Sequence, residues 1–140
     1  MNLTEHFSLE EFEHSDTAIA LGIDNKAPPD LMPNVTLLAN GMERVRDLMG
    51  HPIHINSGYR CEALNVAVRG VKTSAHCEGY AADFTCAAFG TPLEIVKAIE
   101  DSTIPFDQCI QEGTWVHISF APTMRKKLLT KVGDGYVQGI

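Results

Sequence analysis

The stretch Ser74-Ala75-His76-Cys77-Glu78-Gly79-Tyr80-Ala81-Ala82-Asp83-Phe84-Thr85-Cys86 predicts a loop that leads into a β-strand. Its second half follows a glycine and is rich in aromatic and β-favouring residues, which is typical of a strand. Side chains alternate along a strand, so Asp83 is expected on the face opposite to Phe84. Gly79 allows the backbone to turn, and this turn would bring His76 of the loop toward Asp83.

A second candidate strand, Trp115-Val116-His117-Ile118-Ser119-Phe120, alternates more cleanly, with one apolar face and His117 on the other. If both apolar faces pack on the core, Asp83 and His117 meet on the other side of the sheet. With His76 they supply two imidazoles and one carboxylate, which zinc accepts as ligands. Three protein ligands leave a fourth tetrahedral position open for water, as in catalytic zinc sites, so the pattern points to a metal-dependent hydrolase.

Each of these residues also has a simpler explanation when it is taken by itself. A single histidine on a strand is more often a surface or hydrogen-bonded residue than a ligand, and an aspartate near a strand end is usually a cap or turn residue. A structural domain in which His76, Asp83 and His117 make only hydrogen bonds is therefore an alternative. The combination of the three residues favours the metal site.

The motifs also resemble those of a known family, the zinc D-alanyl-D-alanine carboxypeptidases and L-alanyl-D-glutamate endopeptidases. That group includes phage endolysins, which cut the peptide stems of peptidoglycan. The similarity runs from about residue 7 to residue 120 and is densest between residues 53 and 117. The residues that carry it are Ser57-Gly58-Tyr59-Arg60, Ser74-x-His76-x-x-Gly79-x-Ala81-x-Asp83 and Trp115-x-His117.

The resemblance implies one Zn²⁺ held by His76, Asp83 and His117, and it implies roles for their neighbours. Arg60 would lie beside the metal and help to hold a substrate carbonyl or carboxylate, because a guanidinium is permanently charged and offers a planar fork of donors. Ser74 and Tyr59 are expected to bind substrate. For Ser74, hydrogen bonds that only order its own loop are an alternative.

The general base is the point at which this chain departs from the better-known members of the family. They usually carry Glu or Asp about three residues before the last histidine, where this chain has Thr114. The nearest carboxylate is Glu112, which simple alternation places on the face opposite to His117. Gly113 could change that parity through a turn or bulge, and residues 107–111 and 114–120 could form a hairpin closed by Glu112-Gly113. We expect Glu112 to be the catalytic base.

The rest of the chain predicts an α+β fold: a small, mainly antiparallel sheet with helices packed on one face and the zinc site on the exposed face. Residues 51–56 are expected to be a further strand. Three helices are expected: one from a capping box at Ser8 and Glu11 to about His14, a core helix from Leu31 to Leu48 that ends at Gly50, and one from Thr91-Pro92-Leu93-Glu94 to about Asp101.

At 140 residues the chain is expected to form a single zinc peptidase-like domain over residues 1–140. Its motif core would span residues 53–120, and residues 121–140 would be a basic, glycine-containing C-terminal tail. The basic run Arg125-Lys126-Lys127 with Lys131 is interpreted as a solvated helix or tail rather than as a wall-binding patch. The four cysteines contain no Cys-x-x-Cys pair and are expected to be reduced.

The net charge and the hydropathy of the chain limit the classes of partner that it can bind. A net charge of -7 argues against nucleic acid, and the absence of a run of about 18 apolar residues argues against membrane insertion. The first residues lack a signal-peptide pattern. We therefore expect a monomer, made in the cytoplasm of a (host) cell without a signal peptide, that acts on peptidoglycan peptides in the periplasm or cell wall after delivery.

Two functions remain open from the sequence. The preferred one is a zinc metallopeptidase that hydrolyses bonds in peptidoglycan stem peptides, as a phage or prophage endolysin does, with either D,D-carboxypeptidase or L-Ala-D-Glu endopeptidase specificity. The alternative is a non-catalytic zinc-binding domain of a virion or a cell-wall-associated protein, which the threonine at position 114 favours.

Overall fold

The computed structural model describes residues 1–140 and has helices and a six-stranded sheet, which confirms the predicted α+β class. A short 3-10 helix, Pro29–Leu31, precedes the longest helix. The α-helices are α1 (Leu9–Glu13), α2 (Asp16–Leu21), α3 (Met32–Met49), α4 (Glu62–Ala67) and α5 (Pro92–Glu100). The strands are β1 (His54–Ser57), β2 (Ala81–Thr85), β3 (Gln108–Gln111), β4 (Val116–Ser119), β5 (Lys127–Val132) and β6 (Gly135–Gln138).

The strand order in the sheet is β1-β2-β4-β3-β5-β6. Every neighbouring pair is antiparallel except β3 and β5, which are parallel, so the sheet is mainly antiparallel as predicted. Strands β3 and β4 form the predicted hairpin around Glu112 and Gly113. Strand β2 pairs directly with β4, and this pairing places the two candidate strands of the sequence side by side.

Capping explains where the predicted helices begin. Ser8 and Glu11 form the expected capping box at α1, and Thr91 and Glu94 form one at α5. The core helix α3 ends as predicted at Gly50, whose left-handed φ of 71° lets the chain leave the helix. None of the helices combines the length and the apolar character needed to cross a bilayer.

The hydrophobic core lies between one face of the sheet and helices α1, α3 and α5, which together contribute to a cluster of 22 buried residues. All four cysteine thiols are free, as expected, and Cys86 and Cys109 belong to this cluster. The opposite face of the sheet is therefore left for other functions. The sheet residues that face the core include Ile55, Ala82, Phe84, Cys109, Val116 and Ile118.

The C-terminal residues differ from the predicted tail. Strands β5 and β6 form an antiparallel hairpin, and residues 127–130 of β5 pair with β3. Lys127 and Lys131, which the sequence analysis assigned to a solvated helix or tail, lie within β5. The prediction was wrong because the strand is stabilised by pairing with a distant segment and by Leu129, which is buried on the sheet.

An ion pair anchors the segment that leads into this hairpin. The Asp107 carboxylate, which is buried, accepts hydrogen bonds from Arg125 Nε and Nη2, both at 2.9 Å, and from Thr123 Oγ1 at 2.6 Å. Two parallel bonds from a guanidinium to a carboxylate are a strong, orienting contact. The hydrogen bond from Arg125 lowers the pKa of Asp107 to about 2, below its ordinary value of 3.8.

The depressed pKa of Asp107 predicts a pH-dependent stability. The ionised carboxylate stabilises the folded state above about pH 4, and this contribution is lost as the pH falls toward the folded-state pKa. We expect Asp107→Asn to lower the free energy of unfolding by about 2 kcal/mol at pH 7 and to have little effect near pH 2. Urea unfolding followed by circular dichroism between pH 7 and pH 2 measures the difference, and the exposed Asp47→Asn is the control. An Asp107→Asn effect that did not change with pH would contradict this account.

Candidate metal centre

The two strand residues of the candidate centre are cross-strand partners. Asp83 of β2 lies directly opposite His117 of β4, and both side chains point away from the core, as the alternation predicted. His76 arrives from the loop before β2, which turns at Gly79 with a φ of 81°. A Cβ at Gly79 would lie 2.9 Å from Val35 Cγ2, so the turn needs glycine both for its backbone conformation and for space.

The three predicted ligands converge on one point. One ligating atom from each of His76, Asp83 and His117 lies within 4.8 Å of the others. Asp83 Oδ1 is 3.2 Å from His76 Nε2 and 3.0 Å from His117 Nδ1. The two imidazole rings meet edge to face, with centroids 5.1 Å apart. The structure thus brings together all three residues that the sequence singled out for metal binding.

A backbone contact decides which nitrogen of His76 faces the centre. His76 Nδ1 lies 2.7 Å from the carbonyl oxygen of Gly58. A carbonyl oxygen only accepts, so Nδ1 carries the hydrogen and Nε2 is directed at Asp83. Burial lowers the pKa of His76, which is 3% exposed, and this favours the neutral imidazole with a free lone pair on Nε2.

The carboxylate of Asp83 makes this arrangement suitable for a cation. Burial alone would raise the pKa of Asp83, but hydrogen bonds from His117 and from protonated His76 outweigh it, so the pKa lies below its ordinary value and the group is ionised. A neutral His76 instead points a lone pair at a carboxylate oxygen only 3.2 Å away. Either a proton on Nε2 or a metal cation can bridge these two atoms. Two imidazole nitrogens and one carboxylate oxygen are a donor set that suits zinc.

Arg60 lies where the sequence analysis expected it, beside the candidate ligands. Its Nη2 donates to Asp83 Oδ2 at 3.4 Å, on the oxygen that does not face the histidines. Its other donors reach Ser57 Oγ at 3.3 Å and Asn65 Oδ1 at 3.2 Å. Its backbone N–H donates to the carbonyl oxygen of His76. Arg60 thus links the Ser-Gly-Tyr-Arg segment to two of the candidate ligands.

The two residues expected to bind substrate have different positions. Ser74 lines the cavity above the candidate centre, and its Oγ accepts a hydrogen bond from the backbone N–H of His76 at 3.2 Å. This contact orders the loop, as the alternative interpretation of Ser74 anticipated. Tyr59 is buried and does not line the cavity; its backbone N–H donates to the carbonyl oxygen of Phe12, and its carbonyl accepts from Asn25.

Glu112 lies on the same side of the sheet as the candidate ligands and lines the same cavity. Glu112 follows Ile110 of β3 by two residues, so the two side chains share a face of the sheet. Ile110 pairs with His117, which places Glu112 on the face of the candidate ligands. Gly113 allows the turn with a φ of 99°, so the simple alternation across it fails. Burial raises the pKa of Glu112, and the nearby charge of Asp83 raises it further.

The cavity has a volume of about 540 Å³, and the C-terminal hairpin forms part of its wall. The tyrosine hydroxyl of Tyr136 on β6 lies 3.4 Å from Glu112 Oε2. Sequence reasoning missed the hairpin residues because it treated this region as a tail. The Gly133-Asp134-Gly135 turn between two β-favouring segments was the signal that could have found them. The hairpin residues that line the cavity are Leu129, Lys131 and Tyr136.

Two imidazoles and one carboxylate at the floor of a cavity define the class of site that zinc hydrolases use. The sequence profile of the peptidase M15 family matches residues 5–119, which include all three candidate ligands, Arg60 and Glu112. The chain therefore belongs to the peptidase M15 family, whose members are zinc-dependent peptidases and include the D-alanyl-D-alanine carboxypeptidases. No curated protein sequence matches the chain.

The convergence of His76, Asp83 and His117 predicts tight binding of a single zinc ion. We expect His76→Ala to weaken zinc affinity by more than about 100-fold. Loss of a residue that only hydrogen-bonds to a metal ligand costs about 10- to 100-fold in affinity, and loss of the ligand itself should cost more. Competition with a chromogenic chelator measures the affinity, and metal analysis gives the stoichiometry. The exposed His54→Ala on β1 is the matched control. Equal affinity of the two variants would exclude His76 as a ligand.

Proposed function

We propose that this chain is a zinc metallopeptidase that hydrolyses peptide bonds in the stem peptides of bacterial peptidoglycan. The observation that carries the proposal is the group His76, Asp83 and His117, which lies at the floor of a cavity that also holds Glu112 and Arg60. Membership of the peptidase M15 family supports the same reaction class. A phage or prophage endolysin is the simplest biological role for such an activity.

In this proposal His76, Asp83 and His117 hold one zinc ion. When bound, the ion supplies Lewis acidity toward the scissile carbonyl and toward the attacking water. The hydrogen bond from His76 Nδ1 to Gly58 keeps the Nε2 lone pair directed at the centre, and the pairing of β2 with β4 holds Asp83 against His117. The ligands are thus oriented by backbone contacts before substrate arrives.

Glu112 is the proposed general base. It faces the cavity, and its raised pKa brings the carboxylate closer to the working pH, where proton transfer is most effective. The carboxylate would accept a proton from the attacking water and pass it to the leaving amine. Tyr136 lies close enough to Glu112 to help hold the carboxylate in place.

Arg60 is the proposed stabiliser of negative charge on the substrate. Its guanidinium is only 15% exposed and lies beside Asp83 at the cavity, where water screens charge poorly. A developing oxyanion or a substrate carboxylate near Asp83 would be within its reach. Ser74 is proposed to help position substrate at the cavity edge, and Tyr59 is proposed to act by fixing the backbone of the Ser-Gly-Tyr-Arg segment.

We propose that the protein acts as a monomer in the periplasm or cell wall after delivery from the cytoplasm in which it is made. The alternative, a non-catalytic zinc-binding domain of a virion or wall protein, was favoured in the sequence by Thr114 in the usual place of the base. A carboxylate within the cavity at Glu112 weakens that alternative. The two experiments that follow separate the two functions.

Digestion of purified sacculi tests the reaction and identifies the bond. We expect zinc-loaded protein to release peptide-containing fragments, and mass spectrometry of the new termini assigns the cleavage to either D-Ala-D-Ala or L-Ala-D-Glu. A chelator should stop the release, and added zinc should restore it, because the proposed reaction needs the ion. Intact sacculi after incubation with the zinc-loaded protein would favour the non-catalytic alternative.

Glu112→Gln tests the proposed base. We expect kcat to fall by at least about 100-fold, because a neutral amide cannot accept the proton, while zinc content and thermal stability stay unchanged. Turnover of a stem peptide by the purified variants measures the effect. Glu100→Gln, an exposed glutamate on α5, is the matched control. Turnover by Glu112→Gln equal to that of the unchanged protein would remove Glu112 from the mechanism.

A further inference from the structure

The β5–β6 hairpin forms a wall of the active-site cavity, yet it lies outside the residues that match the family profile. The match ends at residue 119, whereas β5 begins at Lys127 and β6 ends at Gln138. The hairpin is fixed to the sheet by the parallel pairing of β5 with β3 and by the Asp107–Arg125 ion pair. The hairpin is therefore an integral part of the sheet that lies beyond the residues matched by the family profile.

The register of the sheet shows which hairpin side chains face the cavity. His117 pairs with Ile110, and Ile110 pairs with Leu129, so these side chains form one row across the open face of the sheet. Two residues further along β5, Lys131 is on the same face and is the cross-strand partner of Tyr136. Lys131 and Tyr136 thus stand in the row next to the metal ligands.

The charge on the cavity wall differs from that of the whole protein. The chain carries 11 basic and 18 acidic residues, but four basic and three acidic residues line the cavity. Of these basic residues, Arg60 and Arg125 already contact carboxylates of the protein. Lys131 takes part in none of the protein's ion pairs or side-chain hydrogen bonds. Its positive charge acts across the cavity to lower the pKa of Glu112, against the rise that burial causes. Lys131 is thus a cation without an ion-pair partner in the cavity of a protein whose net charge is negative.

We propose that the β5–β6 hairpin is a specificity element and that Lys131 binds a carboxylate of the peptide substrate. The inference rests on the proposed function, since the substrate is taken to be a stem peptide. Arg69, the other lining cation without a partner, belongs to the loop between α4 and β2, whereas Lys131 lies within β5 and is paired with Tyr136 of β6. Lysine is a compact, strongly hydrated point charge, which suits a carboxylate at a partly solvated edge.

Binding of synthetic stem peptides tests the proposal. The peptides carry each carboxyl group either free or as an amide, one position at a time. Trp115 is the only tryptophan and lines the cavity, so its fluorescence reports binding to zinc-loaded, full-length protein. The Glu112→Gln background prevents consumption of the peptide. We expect amidation of one carboxyl to weaken binding about fivefold in this background, the size typical of a solvated ion pair.

Three further variants in the same background assign that effect to Lys131. Lys131→Gln should bind the free and the amidated peptide equally, and Lys131→Arg should keep the preference for the free carboxylate. Lys127→Gln removes the same charge from the same strand at a position that does not line the cavity, so its preference should be unchanged.

The outcomes separate this inference from the proposed function. If amidation at every position is without effect, or if Lys127→Gln loses the preference as Lys131→Gln does, the role of Lys131 is overturned while the peptidase proposal stands. A preference retained by Lys131→Gln likewise overturns it. If no stem peptide binds at all, both proposals fail. With cleavage-competent protein, Lys131→Gln should raise KM for the preferred peptide about fivefold.

Discussion

The antiparallel pairing that sets Asp83 opposite His117 is the constraint on which the rest of the site depends. Because side chains alternate along each strand, the same register sends Ala82, Phe84, Val116 and Ile118 into the core and leaves the two polar residues on the open face. A shift of one residue in either strand would bury the ligands and expose the apolar side chains. The stability of the core therefore also holds the site in register, and His76 needs only a short loop to complete it.

A buried group of this kind is costly for the folded protein unless it is satisfied. Asp83 is buried and ionised, and one of its oxygens lies 3.2 Å from His76 Nε2 and 3.0 Å from His117 Nδ1. Arg60 offsets part of this cost from the other carboxylate oxygen. A divalent cation would offset the rest, which means that metal binding and folding stability are coupled in this protein.

The cavity combines residues that match the family profile with residues that lie beyond the match. The ligands, Arg60 and Glu112 lie within the residues that match the peptidase M15 family, while the hairpin that completes the wall lies beyond them. In the proposed function, such an arrangement would separate the chemistry from the choice of substrate, because the wall could change without disturbing the candidate ligands. Asp107 and Arg125 connect the two parts, since their ion pair fixes the start of β5 beside β3.

The sequence by itself determined the elements whose signal is local. Alternation identified β2 and β4, capping boxes located α1 and α5, and two short motifs, one around His76 and Asp83 and one around His117, indicated the three candidate ligands, because each pattern depends on neighbouring residues. Only the tertiary structure decided the rest. Strand β5 exists because it pairs with the distant β3, Glu112 enters the cavity because the turn at Gly113 resets the parity, and Tyr59 is covered by the segment that carries Phe12. Those outcomes depend on contacts between segments far apart in the chain, which no local pattern encodes.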